Sequence, residues 1–300
     1  MTQPNPLLCD PDLGFCEMPD TSHLAGTETA VVPKPGRIIY FTDPICSSCW
    51  GIEPQLRRLK LEYGASLEID YRMGGLLPDW NYNSGGISKP SDVAHHWDEV
   101  SRHYQMPIDG DVWLKDPLHS SYPPSKAFKA AQLQSTALAV IFLRRVREMV
   151  FLEKKNITKW EHLSEAASYA ELDTARFKQD YESVAGQNFN DDLALARHYG
   201  VRGFPTLFFV SSQANEETVY GVKPYEVYEN AIRTILPGIG KQTYDRGWES
   251  LFGIFKTLTT REFAELSGHP VTESEEILIK LNREQLLIKF ETKNGSLWKR

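Results

Sequence analysis

Cys46 and Cys49 are the residues of this chain best placed for chemistry, in Phe41-Thr-Asp-Pro-Ile-Cys-Ser-Ser-Cys-Trp-Gly-Ile-Glu-Pro54. They sit between the apolar, β-branched run Arg37-Ile-Ile-Tyr-Phe41 and a helical stretch. At such a strand-to-helix junction the first sulfur lies at a helix N-terminus, where unpaired backbone N–H groups and the helix dipole favour a thiolate. The second lies about one turn in and can close on it. The chemistry is dithiol–disulfide exchange, with Cys46 attacking and Cys49 resolving. Ser47 and Ser48 offer hydroxyls to the sulfur but no cation, so a mildly depressed Cys46 pKa and a reducing or isomerising poise are expected. Two readings compete. A CxxC is also half of a zinc site, but the other thiols, Cys9 and Cys16, lie with His23 in a weakly patterned segment. Buried cysteines can also be inert packing. No metal and no cofactor are expected.

The elements that must position this dithiol come from two distant stretches. Upstream, strand, CxxC, helix and the alternating run Leu67-Glu-Ile-Asp-Tyr-Arg-Met73 form a βαβ unit, with Pro54 expected to kink its helix and Gly74-Gly-Leu-Leu-Pro78 breaking the strand. Downstream, Asp191-Asp-Leu-Ala-Leu-Ala-Arg-His-Tyr-Gly-Val-Arg-Gly-Phe-Pro-Thr-Leu-Phe-Phe-Val210 reads as helix, glycine stop, tight turn and strand. Proline is tolerated at a strand start. Combined with the upstream CxxC, however, the pattern specifies a thioredoxin-type fold in which Pro205 is cis beside the sulfurs, and Trp50, Phe204 and Thr206 complete the surroundings.

The expected class is α/β: a thioredoxin fold with an inserted all-helical domain and a small C-terminal winged-helix-like unit. Residues 1–36 form an N-terminal arm, in which turn chemistry brings Cys9 and Cys16 close enough to act as auxiliary thiols. Residues 37–84 and 188–238 form the thioredoxin-like domain. Residues 85–187 hold no convincing strand and read as inserted helices: Ser91 to His103, Ser125 to Met149, one opened by a Thr158-x-x-Glu161 capping box, and one from Asp173. Residues 241–300 read as a helix Trp248 to Leu258, further helices to Asn282, and a hairpin turning at Asn294-Gly295.

A net charge of −7 gives nucleic-acid backbone binding no help, and the recognition helix of a winged helix would open on Glu273-Ser-Glu-Glu276. No nucleic-acid partner is expected. The start of the chain has neither a basic nor a long apolar region, and no later apolar run approaches about 18 residues. A cytoplasmic chain with no membrane contact is expected. Four cysteines in 300 residues do not make a disulfide framework.

The CxxC stretch, Gly74-Gly-Leu-Leu-Pro78 and Gly203-Phe-Pro-Thr206 resemble the DsbA family in its cytoplasmic FrnE-like branch, over roughly residues 37–237. That resemblance implies a thiol–disulfide oxidoreductase or isomerase acting on a protein or small-thiol disulfide, with Cys46, Cys49 and Pro205 at its centre. A resemblance running nearly end to end is to the YjbH/SpxH proteins. Asp116-Pro-Leu-His-Ser-Ser-Tyr122, Ala127-Phe-Lys-Ala-Ala-Gln-Leu133, Phe151-Leu-Glu-Lys-Lys-Asn-Ile-Thr158 and Asn294-Gly-Ser-Leu-Trp-Lys299 carry it. It implies an adaptor that holds a client, a transcription regulator, for the ClpXP protease. The two readings predict the same scaffold and differ on whether the dithiol has work to do.

Overall fold

The computed structural model describes residues 34–81 and 88–300, and the expectations for Cys9, Cys16 and His23 lie outside them. The chain runs β1 (Gly36–Thr42), α1 (Ser47–Gly51), α2 (Glu53–Tyr63) and β2 (Leu67–Met73). Helices α3 (Pro90–Tyr104), α4 (Val112–Lys115), α5 (Tyr122–Gln132), α6 (Thr136–Phe151), α7 (Trp160–Tyr169), α8 (Thr174–Glu182) and α9 (Ala185–His198) follow. Then come β3 (Thr206–Ser211), β4 (Glu216–Tyr220) and α10 (Tyr225–Ile235). The C-terminal part holds α11 (Trp248–Ile254), β5 (Thr257–Thr259), α12 (Thr260–Ser267), α13 (Val271–Arg283), β6 (Ile288–Thr292) and β7 (Gly295–Lys299).

The first sheet has the order β2-β1-β3-β4, with β1 parallel to β2 and antiparallel to β3. Strand β1 lacks strand alternation in its sequence because both of its faces are covered. Ile38 and Tyr40 enter the large core with α1, α2, α6 and α10, while Ile39 and Phe41 pack with Phe208 and Ala196 on the opposite face. The CxxC after β1 and Pro205 before β3 thus emerge at the same end of adjacent strands. That is the thioredoxin-type arrangement expected.

Between β2 and β3 the described residues are helical, but the boundaries differ from expectation. The stretch read as one helix from Ser125 to Met149 is two, α5 and α6, because Ser135 turns extended and caps α6 by accepting from the Leu138 N–H. The Thr158 capping box does not form: α7 is capped at Lys159 without a side-chain bond, and the Thr158 hydroxyl donates to Asn156 instead. Pro54 does not kink a continuous helix. It stands in the first turn of α2, where a missing N–H costs nothing, and α1 ends before it. Likewise, the helix expected from Trp248 to Leu258 stops at Ile254, since Leu258 is drawn into β5 opposite Trp298.

The C-terminal sheet has the order β5-β7-β6, and Leu251, Phe252, Phe263, Leu278 and Trp298 form a cluster of their own beneath it. Two seams join this segment to the rest. At the first, α12 packs on α2, and Glu262, with no exposed side-chain area, receives Arg144 through two bonds of 2.7 and 3.0 Å and Arg57 at 3.1 Å. Arg57 also donates to the Thr257 carbonyl at 2.7 Å, and Thr257 donates to Glu148. At the second, the tip of the β6–β7 hairpin turns inward: Asn294 donates to the Ile108 carbonyl at 2.7 Å and to Asp98 at 2.8 Å.

Removing one side of a buried ion pair strands the other charge, which costs about 3–5 kcal/mol. Glu262→Gln should therefore destabilise the protein by about 3 kcal/mol in urea unfolding, with amide exchange rising first in residues 248–299. The guanidiniums hold the Glu262 carboxyl below its ordinary 4.5 against the upward push of burial. Its contribution is accordingly present above that pH and lost as pH falls through the lower folded value. Unchanged stability in Glu262→Gln at pH 7 would remove this seam from the account.

Candidate functional site

Cys46 caps α1, with extended backbone at φ −73° and ψ 109°, and its sulfur accepts the Cys49 N–H at 3.2 Å. Both cysteines are free thiols and buried, Cys46 at 5% exposure and Cys49 at 0%. The Phe204–Pro205 peptide is cis, and the Phe204 carbonyl faces the Cys46 sulfur at 3.7 Å. The structure thus brings Cys46, Cys49, Phe204 and Pro205 together from segments about 155 residues apart. Thr206 holds the loop closed by donating to the Gly203 carbonyl at 2.7 Å.

Other expected neighbours do different work. Trp50 is fully buried, stacks on Phe151 and donates to the Pro107 carbonyl at 3.0 Å, so it anchors α1 rather than facing a substrate. Ser48 does not solvate the sulfur; its hydroxyl pairs with that of Tyr104 at 3.1 Å. Tyr104 lies so close that a Cβ at Gly51 would meet its ring at 2.6 Å. Ser47 is buried in the wall of a cavity of about 270 Å³ that opens beside Cys46 and extends to Trp80, Trp97 and Trp113.

The residues that set the site's electrostatics were not singled out from the sequence. Asp43, fully buried, accepts the Ile45 N–H at 3.0 Å, the Leu76 N–H at 2.8 Å and the Ser121 hydroxyl at 2.8 Å. It thereby ties the CxxC loop to the Gly74–Pro78 loop and to the start of α5. Burial raises its pKa from 3.8 to about 6, against those hydrogen bonds and Arg147. A carboxyl raised in this way adds stability that is complete below pH 3.8 and is lost as pH rises through about 6. Gly74 belongs to the same construction, because a Cβ there would sit 2.0 Å from the Phe204 ring.

Arg147 is the cation of the site. It is fully buried, pairs with Glu53, and donates to the Thr42 hydroxyl at 2.6 Å and the Asp43 carbonyl at 3.4 Å. One signal in the sequence marks it: Arg144, Arg145 and Arg147 interrupt the most apolar helical stretch of the insertion, and a charge on a buried face needs a partner.

Its charge acts on both sulfurs. Burial raises the Cys46 thiol, and Cys49 beside it adds to the rise. At Cys49 the same burial is outweighed by the hydrogen bond from Cys46, the Arg147 charge and Thr42, and its pKa is lowered. The two thiols titrate as a pair, with burial pushing up and the Cys46–Cys49 hydrogen bond and Arg147 pulling down. The helix that Cys46 caps is only five residues long. Among the described residues no group of three or more His, Cys, Asp or Glu side chains could hold a metal ion.

Comparison with known proteins matches this geometry. A family profile described as Thioredoxin covers residues 40–230. The ClpXP adapter protein SpxH of Halalkalibacterium halodurans is 34% identical over 97% of this chain and 96% of its own. That of Bacillus subtilis is 32% identical over 89% of each chain. Among solved structures, a putative protein disulfide isomerase from Nitrosomonas europaea superposes with a TM-score of 0.57 at 22% identity, covering 68% of this chain and 96% of that one. The cytosolic disulfide reductase DsbM from Pseudomonas aeruginosa gives 0.51 at 20% identity, over 66% and 93%. At those identities the structures speak for the fold, whereas the SpxH likeness extends past the thioredoxin profile to nearly the whole sequence. The chain belongs to the thioredoxin family, in the branch formed by the SpxH proteins.

Proposed function

We propose that this protein is an adaptor that binds a client protein and promotes its degradation by the ClpXP protease; the relatives it resembles are named ClpXP adapter proteins. The observation that carries the reading is the likeness to SpxH over 97% of the chain, which takes in the C-terminal segment that disulfide exchange does not need. The closed setting of the dithiol supports it: an attacking thiol must be reached by its substrate, and here Cys46 is 5% exposed and Cys49 not at all. We read residues 248–299 as a winged-helix-like partner-docking module. DNA fits it poorly, since the hairpin tip is engaged on Asp98 and Ile108 and the exposed start of α13 carries Glu273, Glu275 and Glu276. No helix of the described residues is long and apolar enough to cross a membrane, in keeping with a cytoplasmic site of action.

A second reading, thiol–disulfide oxidoreductase or isomerase, has its own support in the Cys49 N–H bonded to the Cys46 sulfur and the Phe204–Pro205 loop beside it. In that chemistry the Cys46 thiolate attacks a substrate disulfide and one substrate thiolate leaves. Cys49 then displaces the other, so that two electrons pass to the substrate and a Cys46–Cys49 disulfide remains.

The two readings part in one experiment. Cys46→Ala/Cys49→Ala should still bind a cognate transcription regulator and speed its degradation in a reconstituted ClpXP reaction at the wild-type rate. Loss of that acceleration in a folded double variant would return the dithiol to the centre of the function. Conversely, if the oxidoreductase reading holds, the wild type should accelerate insulin reduction, Cys46→Ser should fall to the uncatalysed rate and Cys49→Ser should accumulate mixed disulfides; a wild type no faster than the uncatalysed reaction would remove that reading.

A further measurement addresses the charge beneath the pair. Arg147→Met should raise the first apparent pKa of the dithiol by about one unit or more, followed by ultraviolet thiolate absorbance, while Arg147→Lys should keep it near the wild-type value. An unshifted titration in Arg147→Met would show that the guanidinium does not govern the thiolate.

A further inference from the structure

A second cavity, of about 280 Å³, lies between α2, α6 and the segment joining α11 to β5, and it shares no lining residue with the groove at Cys46. One wall is apolar, made by Leu56, Val140, Ile141 and Phe255. The other side is cationic: Arg57, Arg144 and Arg147 line it, and Lys60 stands exposed at its mouth.

These cations are not fully accounted for by the ion pairs described above. Glu262 and Glu148 answer Arg57 and Arg144. Arg147 uses one guanidinium nitrogen on Glu53 and another on Thr42, but its Nε, in a side chain with no exposure, has no hydrogen-bond partner. Lys60 makes no ion pair among the described residues, and Glu53 is the lone carboxylate among the lining side chains. Burial and then the neighbouring Arg144 push Arg57 down, and burial, then Arg57 and Lys34, push Lys60 down, whereas carboxylates hold Arg144 up, so the unanswered donors are Lys60 and the Arg147 Nε.

A cavity apolar along one side and under-neutralised on the other is complementary to a single small molecule that carries both features. We propose that it binds an amphiphilic anion: a short alkyl or aromatic body along Val140, Ile141 and Phe255, and a carboxylate or phosphate head toward Arg57, Arg147 and Lys60. Because its walls come from the thioredoxin core, the insertion and the C-terminal segment, such a ligand would bridge all three. The site is independent of the adaptor reading and shares Arg147 with the network at the CxxC loop.

The test is calorimetric titration of the full chain with octanoate and with octyl phosphate, beside octanol and octyltrimethylammonium. One anionic amphiphile should bind per chain, with octanol at least about tenfold weaker and the cation inert; whichever anion binds more tightly identifies the head group. Lys60→Glu should weaken binding by about tenfold or more. Ala137→Trp, from an exposed position on α6 that lines the cavity, should fill the space and abolish binding. Both substitutions are at the surface, and circular dichroism confirms that each variant is folded. Absence of binding by both anions, octanol binding as tightly as octanoate, or affinities unchanged in both variants would each overturn the proposal.

Discussion

A carboxylate with no access to water is the constraint around which this molecule is arranged. Glu262 belongs to the C-terminal segment, Arg144 to the inserted helices and Arg57 to the helix that follows the CxxC, and none of the three charges can be buried without the others. Glu262 also accepts the Thr259 N–H at 2.7 Å and so caps its own helix, which fixes the direction of its carboxylate before the arginines arrive. Three stretches far apart in sequence are thereby held in one geometry. Hydrophobic contact alone would specify that geometry less sharply, because apolar surfaces can slide and bidentate pairs cannot.

From that junction charge alternates inward toward the sulfurs. Arg57 lies 3.9 Å from Glu53, Glu53 meets Arg147, and Arg147 reaches Thr42 and the backbone of Asp43 beneath the CxxC loop. The dithiol therefore rests on the end of a network whose other end is the C-terminal segment. In this setting the CxxC loop, the glycine loop after β2 and the start of α5 are all held by Asp43, a single side chain with three donors. The Ser120 and Ser121 hydroxyls add bonds to Leu77 on the same loop, which gives the Asp116–Tyr122 motif a structural role at the site.

The same network fixes what surrounds the dithiol. Catalytic exchange asks for charge on the outer sulfur and a mobile, solvated path to it. Here Arg147 is fixed on Thr42 and the Asp43 carbonyl, Tyr104 covers α1, and the Phe204 ring is seated against Gly74. What remains open is the tryptophan-lined cavity beside Cys46, a shape suited to holding an apolar group of another molecule.

Much of this was legible in the sequence, and the remainder was hidden for identifiable reasons. The run Arg37–Phe41, the CxxC, the Leu67–Met73 alternation and Pro205 before an apolar strand each carry a local signal, because strand pattern, helix start and proline position are decided by near neighbours in the chain. The Asn294-Gly295 turn was readable on the same ground. The break between α5 and α6 and the pairing of Leu258 into β5 were not. Ser135 becomes a cap only where the chain turns extended between two helices that pack on each other, and Leu258 becomes a strand residue only when Trp298 is beside it. Thr158 looked like a cap and found a better partner in Asn156. Above all, the sequence pointed to a thiolate on Cys46 but could not place a buried cation at the CxxC loop. That was decided by where helix α6 buries Arg147, and a Coulomb interaction depends on distance in space and local dielectric, neither of which is written in the spacing of residues along a chain.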